Sequence, residues 1–152
     1  MVSIDDLKRF KLFQGLNDRE IELIVKIAKE ETVEADVRLF EEKANATDLY
    51  LVLEGIVDVK VKGVNDERIT IAHVEPGQIL GWSAIVEPHV RTAGAWIQTK
   101  ARLITLRADS LKDLFEKNNH IGYRIMKVIA SLISERLKAL DTKYAEKLRI
   151  EK

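Results

Sequence analysis

The sequence predicts a mainly β domain, an antiparallel barrel or sandwich, set between a short helical N-terminus and a long C-terminal helix. Changes in apolar period mark the three parts. Helical spacing holds to about residue 31, a period of two from about 32 to 107, and helical spacing again from about 109 to 150. The β part is also cut by closely spaced turn signals, which favours antiparallel strands over βαβ units. The whole chain, 1–152, reads as one domain, a size that suits a single core.

The first clear helix begins in "LNDREIELIVKIAKEE". Asn17 caps it, Glu20 reaches back to the Asn17 amide, and Leu16 and Ile21 stand where a hydrophobic staple belongs. Ile21, Ile24, Val25 and Ala28 form its apolar face. "TVEADVRLF" and "DLYLVLEGIVDVKVKG" then alternate, and Glu54-Gly55 reads as a hairpin turn within the second run. "ERITIAHV" is the next strand, closed by Pro76-Gly77. "AGAWIQT" and "RLITLR" read as two more. Asp109 or Ser110 caps a short helix, and Asn118-Asn119 breaks it from a long one starting near His120.

On that long helix Met126, Ile129, Ile133, Leu137, Leu140, Tyr144 and Leu148 are spaced 3, 4, 4, 3, 4, 4, an 11-residue period. Ile125, Val128 and Leu132 form a second stripe. Two apolar faces need two covers. The β part covers one, and a second copy of the helix covers the other, which predicts a homodimer. The alternative is that both faces pack within one chain.

Composition limits the function. Lys+Arg and Asp+Glu both number 25, so no net field draws the chain to nucleic acid or an anionic membrane. With no cysteine, thiolate catalysis and cysteine metal sites are excluded. His73, His89 and His120 have no metal-ligand spacing. No Ser-His-Asp arrangement or phosphate-binding Walker loop stands out, so an enzyme is not expected. The N-terminus lacks a signal-peptide pattern, and no apolar run nears the roughly 20 residues that span a bilayer. A cytoplasmic protein is expected.

The stretch "PGQILGWSAIVEPHVRTAGAWI", Pro76 to Ile97, is different. Small residues follow Gly81, so backbone there can approach a ligand closely. Arg91 lies across a loop containing Pro88 and can grip a phosphate in bidentate fashion, with Thr92 as a hydroxyl donor. The alternative for Arg91 is a structural arginine paired with Glu87 or another acid.

Gly55, Pro76-Gly77, Gly81 and Arg91-Thr92-Ala93 together resemble the phosphate-binding cassette of cyclic nucleotide-binding domains, including the sensor domains of the catabolite activator protein family. The resemblance covers nearly the full chain. It implies an antiparallel, eight-stranded β-roll of the jelly-roll kind between N- and C-terminal helices. It implies a regulatory function and a cyclic nucleotide ligand, cyclic AMP or cyclic GMP, or another anionic small molecule. Arg91 would hold the exocyclic phosphate oxygens, helped by Thr92, Ala93 and the backbone of Gly81, Ser83 and Ala84. Val59 and Ile71 would flank sugar and base. Trp82 departs from the pattern, because the family places there a glutamate that accepts the ribose 2′-hydroxyl and an indole only donates. Trp82 stacks on a ligand, plugs an emptied pocket or packs below the C-terminal helix. The competing function is a degenerate domain that binds no nucleotide and serves as a dimerisation or protein-interaction module, with a protein partner the sequence does not identify. Transcription factors among such proteins carry a DNA-binding domain after the long helix. The chain ends at Lys152 and its tail interleaves acids with bases, so no direct nucleic-acid binding is expected.

Overall fold

The computed structural model describes residues 1–150. Helix α1 (Ile4–Lys8), a 3₁₀ turn (Lys11–Phe13) and α2 (Asp18–Val25) precede six strands: β1 (Ala28–Val33), β2 (Arg38–Phe40), β3 (Asp48–Lys62), β4 (Arg68–Val74), β5 (Ile79–Leu80) and β6 (Gly94–Arg107). Helices α3 (Ala108–Lys117) and α4 (Asn119–Ile150) follow. The strands form one antiparallel sheet, ordered β1-β6-β3-β4, with β2 also on β6 and β5 also on β3. The predicted mainly β class with flanking helices is what forms.

Several elements differ from the expectation, each for a tertiary reason. The α2 helix stops at Val25, and Ala28 opens a strand instead of extending the helix. The register Ala28↔Leu106 to Val33↔Ala101 satisfies that backbone on β6. The boundary expected at 31/32 therefore falls before residue 28. Glu54-Gly55 is not a hairpin turn. Strand β3 runs straight through it, with shifts in register against β6 on both sides. Gly55 has φ +87°, and a Cβ there would lie 2.5 Å from the Lys100 carbonyl oxygen, so it is a bulge glycine. "AGAWIQT" and "RLITLR" likewise belong to one strand, β6. Six strands, two of them long, stand among the described residues where the resemblance implied eight.

Two buried clusters fill the molecule. One gathers Leu7, Phe10, Phe13, Ile21 and Ile24 from the N-terminus, Leu49, Leu51 and Leu53 from β3, and Leu111, Ile121, Ile125 and Ile129 from the last helices. The other lies inside the roll and holds Tyr50, Val52, Val57, Val59, Leu80, Ala93, Ala95 and Leu103. Alternate residues of β3 enter different clusters, as the two-residue period of a strand requires. Trp96 is half-buried; Arg68 and Lys60 lie over its ring at 4.7 and 5.6 Å.

Helix α4 divides along its length, not by face. Ile121, Ile125 and Ile129 are buried, and Val128, Leu132 and Ile133 pack against them. Beyond that, Leu137 (56%), Leu140 (56%), Tyr144 (66%) and Leu148 (44%) are exposed. No described helix is long and apolar enough to cross a membrane.

The start of α4 is tied to α2. Asn17 and Glu20 form the expected capping box, and the second Glu20 oxygen lies 2.6 Å from His120 Nδ1. That hydrogen bond lowers the Glu20 pKa. A carboxyl held below its ordinary value adds stability above the unfolded pKa of about 4.3 and loses it as pH falls through the folded value. Glu20→Gln keeps a capping amide and removes the titration. The stability difference between wild type and Glu20→Gln should be full near neutrality, under about 1 kcal/mol for so open a pair. It should vanish on acidification below about pH 4, as read by urea unfolding across that range.

Candidate anion site at Arg91

The turn that places the site starts at Gly77 (φ +91°) and passes through Gly81 (φ +83°). Strand β5 between them pairs with β3 through Tyr50↔Leu80. Gly81 caps a single 3₁₀ turn, Trp82–Ala84. After the Glu87-Pro88 loop, the chain returns alongside residues 43–46. Arg91 N–H donates to the Ala44 carbonyl at 2.8 Å, and the Arg91 carbonyl accepts from Lys43 N–H at 2.8 Å. These backbone bonds fix where the Arg91 side chain starts.

Arg91 is 4% exposed. Its Nη1 donates to the Gly81 carbonyl at 2.8 Å and its Nη2 to the Asp48 carbonyl at 2.6 Å. Neither Glu87 nor any other described carboxylate pairs with it, so in place of the ion pair that was the alternative reading stand two main-chain acceptors. Nε is buried without a hydrogen-bond partner. The guanidinium lies 4.0 Å from the centroid of the Phe40 ring, and Phe40 stacks on Tyr50 at 6.0 Å. Desolvation lowers the Arg91 pKa and raises that of Tyr50. A buried cation held only by dipoles and an aromatic face is what an anion would complete. Gly81 fits because it adopts a left-handed φ and because a Cβ there would meet Nη1 at 2.7 Å.

The other predicted residues are distributed unevenly. Ala93 and Val59 are buried in the inner cluster with Tyr50. Thr92 is exposed beside Arg91, and Ser83 is half-buried. The Ala84 amide, expected to face a ligand, donates to the Gly81 carbonyl at 3.1 Å and is used by the turn itself. Ile71 is 46% exposed on β4, at the irregularity between Val59↔Ala72 and Lys60↔Thr70, and stands outside the inner cluster. Trp82 packs against the first cluster, and the Arg136 guanidinium of α4 lies 4.4 Å from its ring centroid. Desolvation lowers the Arg136 pKa. Trp82 therefore sits below the C-terminal helix, the third of the roles expected for it.

The sequence reading missed Phe40, Tyr50 and Arg136. Phe40 and Tyr50 look like ordinary members of alternating runs, and Arg136 is one charge among many in the tail. A separate cavity of about 660 Å³ opens between the loop (Ile85, Glu87, His89) and the last helices (Lys112, Phe115, Met126). No cluster of three potential metal ligands occurs among the described residues.

Arg91 thus has a structural task whether or not anything binds. Arg91→Ala strands the Gly81 and Asp48 carbonyls and should cost about 2 kcal/mol without ligand. Thermal unfolding should show a fall of roughly 4–8 °C.

Comparison with known proteins bears on the family and the fold. A family model described as cyclic nucleotide-binding domain matches residues 30–118, more than half of the chain. A solved structure from Geobacter metallireducens GS-15, assigned to the cyclic nucleotide-binding proteins, superposes with a TM-score of 0.80 at 27% identity, covering 90% of this chain and 99% of that one. The regulatory domain of Toxoplasma gondii cyclic-AMP-dependent kinase, co-crystallised with cyclic AMP, shares the fold with a TM-score of 0.75 at 16% identity, with 87% of this chain and 48% of that one covered. Glutaminase 2 of Bradyrhizobium diazoefficiens is 28% identical over 132 residues, which is 87% of this chain and 20% of that protein. The chain thus spans about a fifth of the length of that curated relative. With the β-roll, the Gly81 turn and the buried arginine on one scaffold, the chain belongs to the cyclic nucleotide-binding domain family.

Proposed function

We propose that this domain is a ligand-sensing regulatory module of the cytoplasm that takes a cyclic nucleotide, or a related phosphate-bearing small molecule, at Arg91. The observation that carries this reading is the Arg91 guanidinium, 4% exposed, with Nε unpartnered. A phosphate supplies the counter-charge that the fold does not, through charge-assisted hydrogen bonds. Thr92 stands next to it with a hydroxyl. Trp82 offers no acceptor for a ribose hydroxyl, so recognition rests on the phosphate more than on the sugar. The role is regulatory and not catalytic, as it is in the kinase regulatory domain of the same fold.

The output surface is α4. Its exposed Leu137, Leu140, Tyr144 and Leu148 suit a second copy of the same helix, giving a homodimer. The second reading, a module that binds no nucleotide and acts through this helix alone, draws on one specific observation. Both terminal nitrogens of Arg91 are already bonded to main-chain carbonyls.

Calorimetric titration with cyclic AMP, cyclic GMP, AMP and inorganic phosphate separates the two. Saturable binding of one cyclic nucleotide, weaker for AMP and lost in Arg91→Ala, is expected. At 100 times its Kd that ligand should add roughly 2.7 kcal/mol of stability. No binding of any of the four would leave the interaction module standing. Sedimentation equilibrium should give the mass of two chains, and Leu140→Glu should give one.

A further inference from the structure

Arg91 has a counterpart on the helical side of the molecule. Among the described residues, two buried side-chain nitrogens lack a hydrogen-bond partner, Arg91 Nε and Arg124 Nε. Arg124 stands on α4, and its Nη2 donates to the Gln14 carbonyl at 3.2 Å. The next residue, Gly15, has φ +88°, and a Cβ there would collide with the Arg124 guanidinium. Gly15 thus makes room for Arg124 as Gly81 does for Arg91. Arg124 lines a concavity of about 170 Å³ between the 3₁₀ turn and α4, together with Lys11, Gln14, Lys127 and Ser131. Arg124, Lys127 and Ser131 are three and four residues apart, so they share one helix face. No carboxylate lines the concavity, and no described ion pair involves Lys11, Arg124 or Lys127. Three like charges are gathered there in a chain whose acids and bases balance at 25 each.

We propose that this concavity is a second anion site, which takes a phosphoryl group, free or on a small ester, between Lys11, Arg124 and Lys127. It is independent of the reading at Arg91. Every polar side chain in the lining can donate a hydrogen bond, and a tetrahedral oxyanion offers only acceptors. Its charge also offsets the repulsion among the three cations. The volume lies below the roughly 300 Å³ at which pockets begin to enclose a drug-sized molecule. The site therefore takes the phosphoryl group and not a whole nucleotide. A bound group ties the N-terminal turn to α4 ahead of Ile133, where the cover on that helix ends.

The test is an amide NMR titration of the full chain with inorganic phosphate and, separately, glycerol phosphate, at constant ionic strength. The Gly15 amide and the Arg124 Nε–Hε pair report on this site, and the Gly81 and Arg91 signals on the other, so either site can fail alone. The Gly15 and Arg124 signals should move saturably, and the probe that binds more tightly identifies the source of the phosphoryl group. Lys11→Gln and Lys127→Gln change exposed side chains without ion pairs, so one suffices should the other fold poorly. Each should weaken the binding about tenfold, the loss of one charge-assisted hydrogen bond. Gly15 and Arg124 signals that stay still with both probes overturn the proposal, and so do shifts that the variants leave unchanged.

Discussion

The structure turns on one buried cation. The Arg91 guanidinium joins the Gly81 carbonyl, at the end of the turn, to the Asp48 carbonyl, at the start of β3. It does so inside the roll, where an unpaired charge is costly. Other features follow from it. Gly81 must be a glycine, because a side chain there would collide with Nη1. Residues 89–91 must run beside 43–46 so that the arginine starts from the right place. Phe40 and Tyr50 fill the space next to the charge. A cation stabilised by dipoles and a ring, without a carboxylate, stays receptive to an anion. A structural role and an unpartnered Nε donor therefore coexist in one side chain.

The Gly81–Ala84 turn also bridges the two cores. Leu80 and Ala93 belong to the inner cluster, and Ile79, Trp82 and Ile85 to the cluster built with the helices. Trp82 meets Arg136 within the exposed stretch of α4, one residue before Leu137, the first large hydrophobic exposed there. A change in how Arg91 holds Gly81 is thus separated from the uncovered part of α4 by one residue, Trp82. Trp82, where the resemblance implied a sugar-binding carboxylate, makes its contacts with the helical cluster and with Arg136. A ligand can shift this arrangement only by as much as it prefers one state of the turn over another.

Part of this is legible in the chain itself. The change of period near residue 108, the Asn17–Glu20 capping box and the glycine at 81 are local signals, and local physics decides them. Arg91 stands out because a lone charge among small and apolar residues needs a reason. The failures share a cause. Gly55 carries the signature of a turn, yet pairing of β3 with β6 on both sides makes it a bulge. Ala28 continues a helical stripe, yet Leu106 is its partner. The stripe on α4 is continuous from Met126 to Leu148, but the cover supplied by the rest of the chain ends near Ile133.

The sequence by itself determined the class of the fold, the order of its parts and the one arginine on which a site can be built, since each rests on patterns within a few residues. Only the tertiary structure decided what that arginine touches, that Phe40 covers it and that Trp82 leans on α4. These contacts join residues 40, 48, 81, 91 and 136, which are far apart in the chain and carry no common period. Hydrogen bonds and ring contacts are set by distances of a few ångströms, and a sequence pattern holds no information on such distances until the sheet has closed.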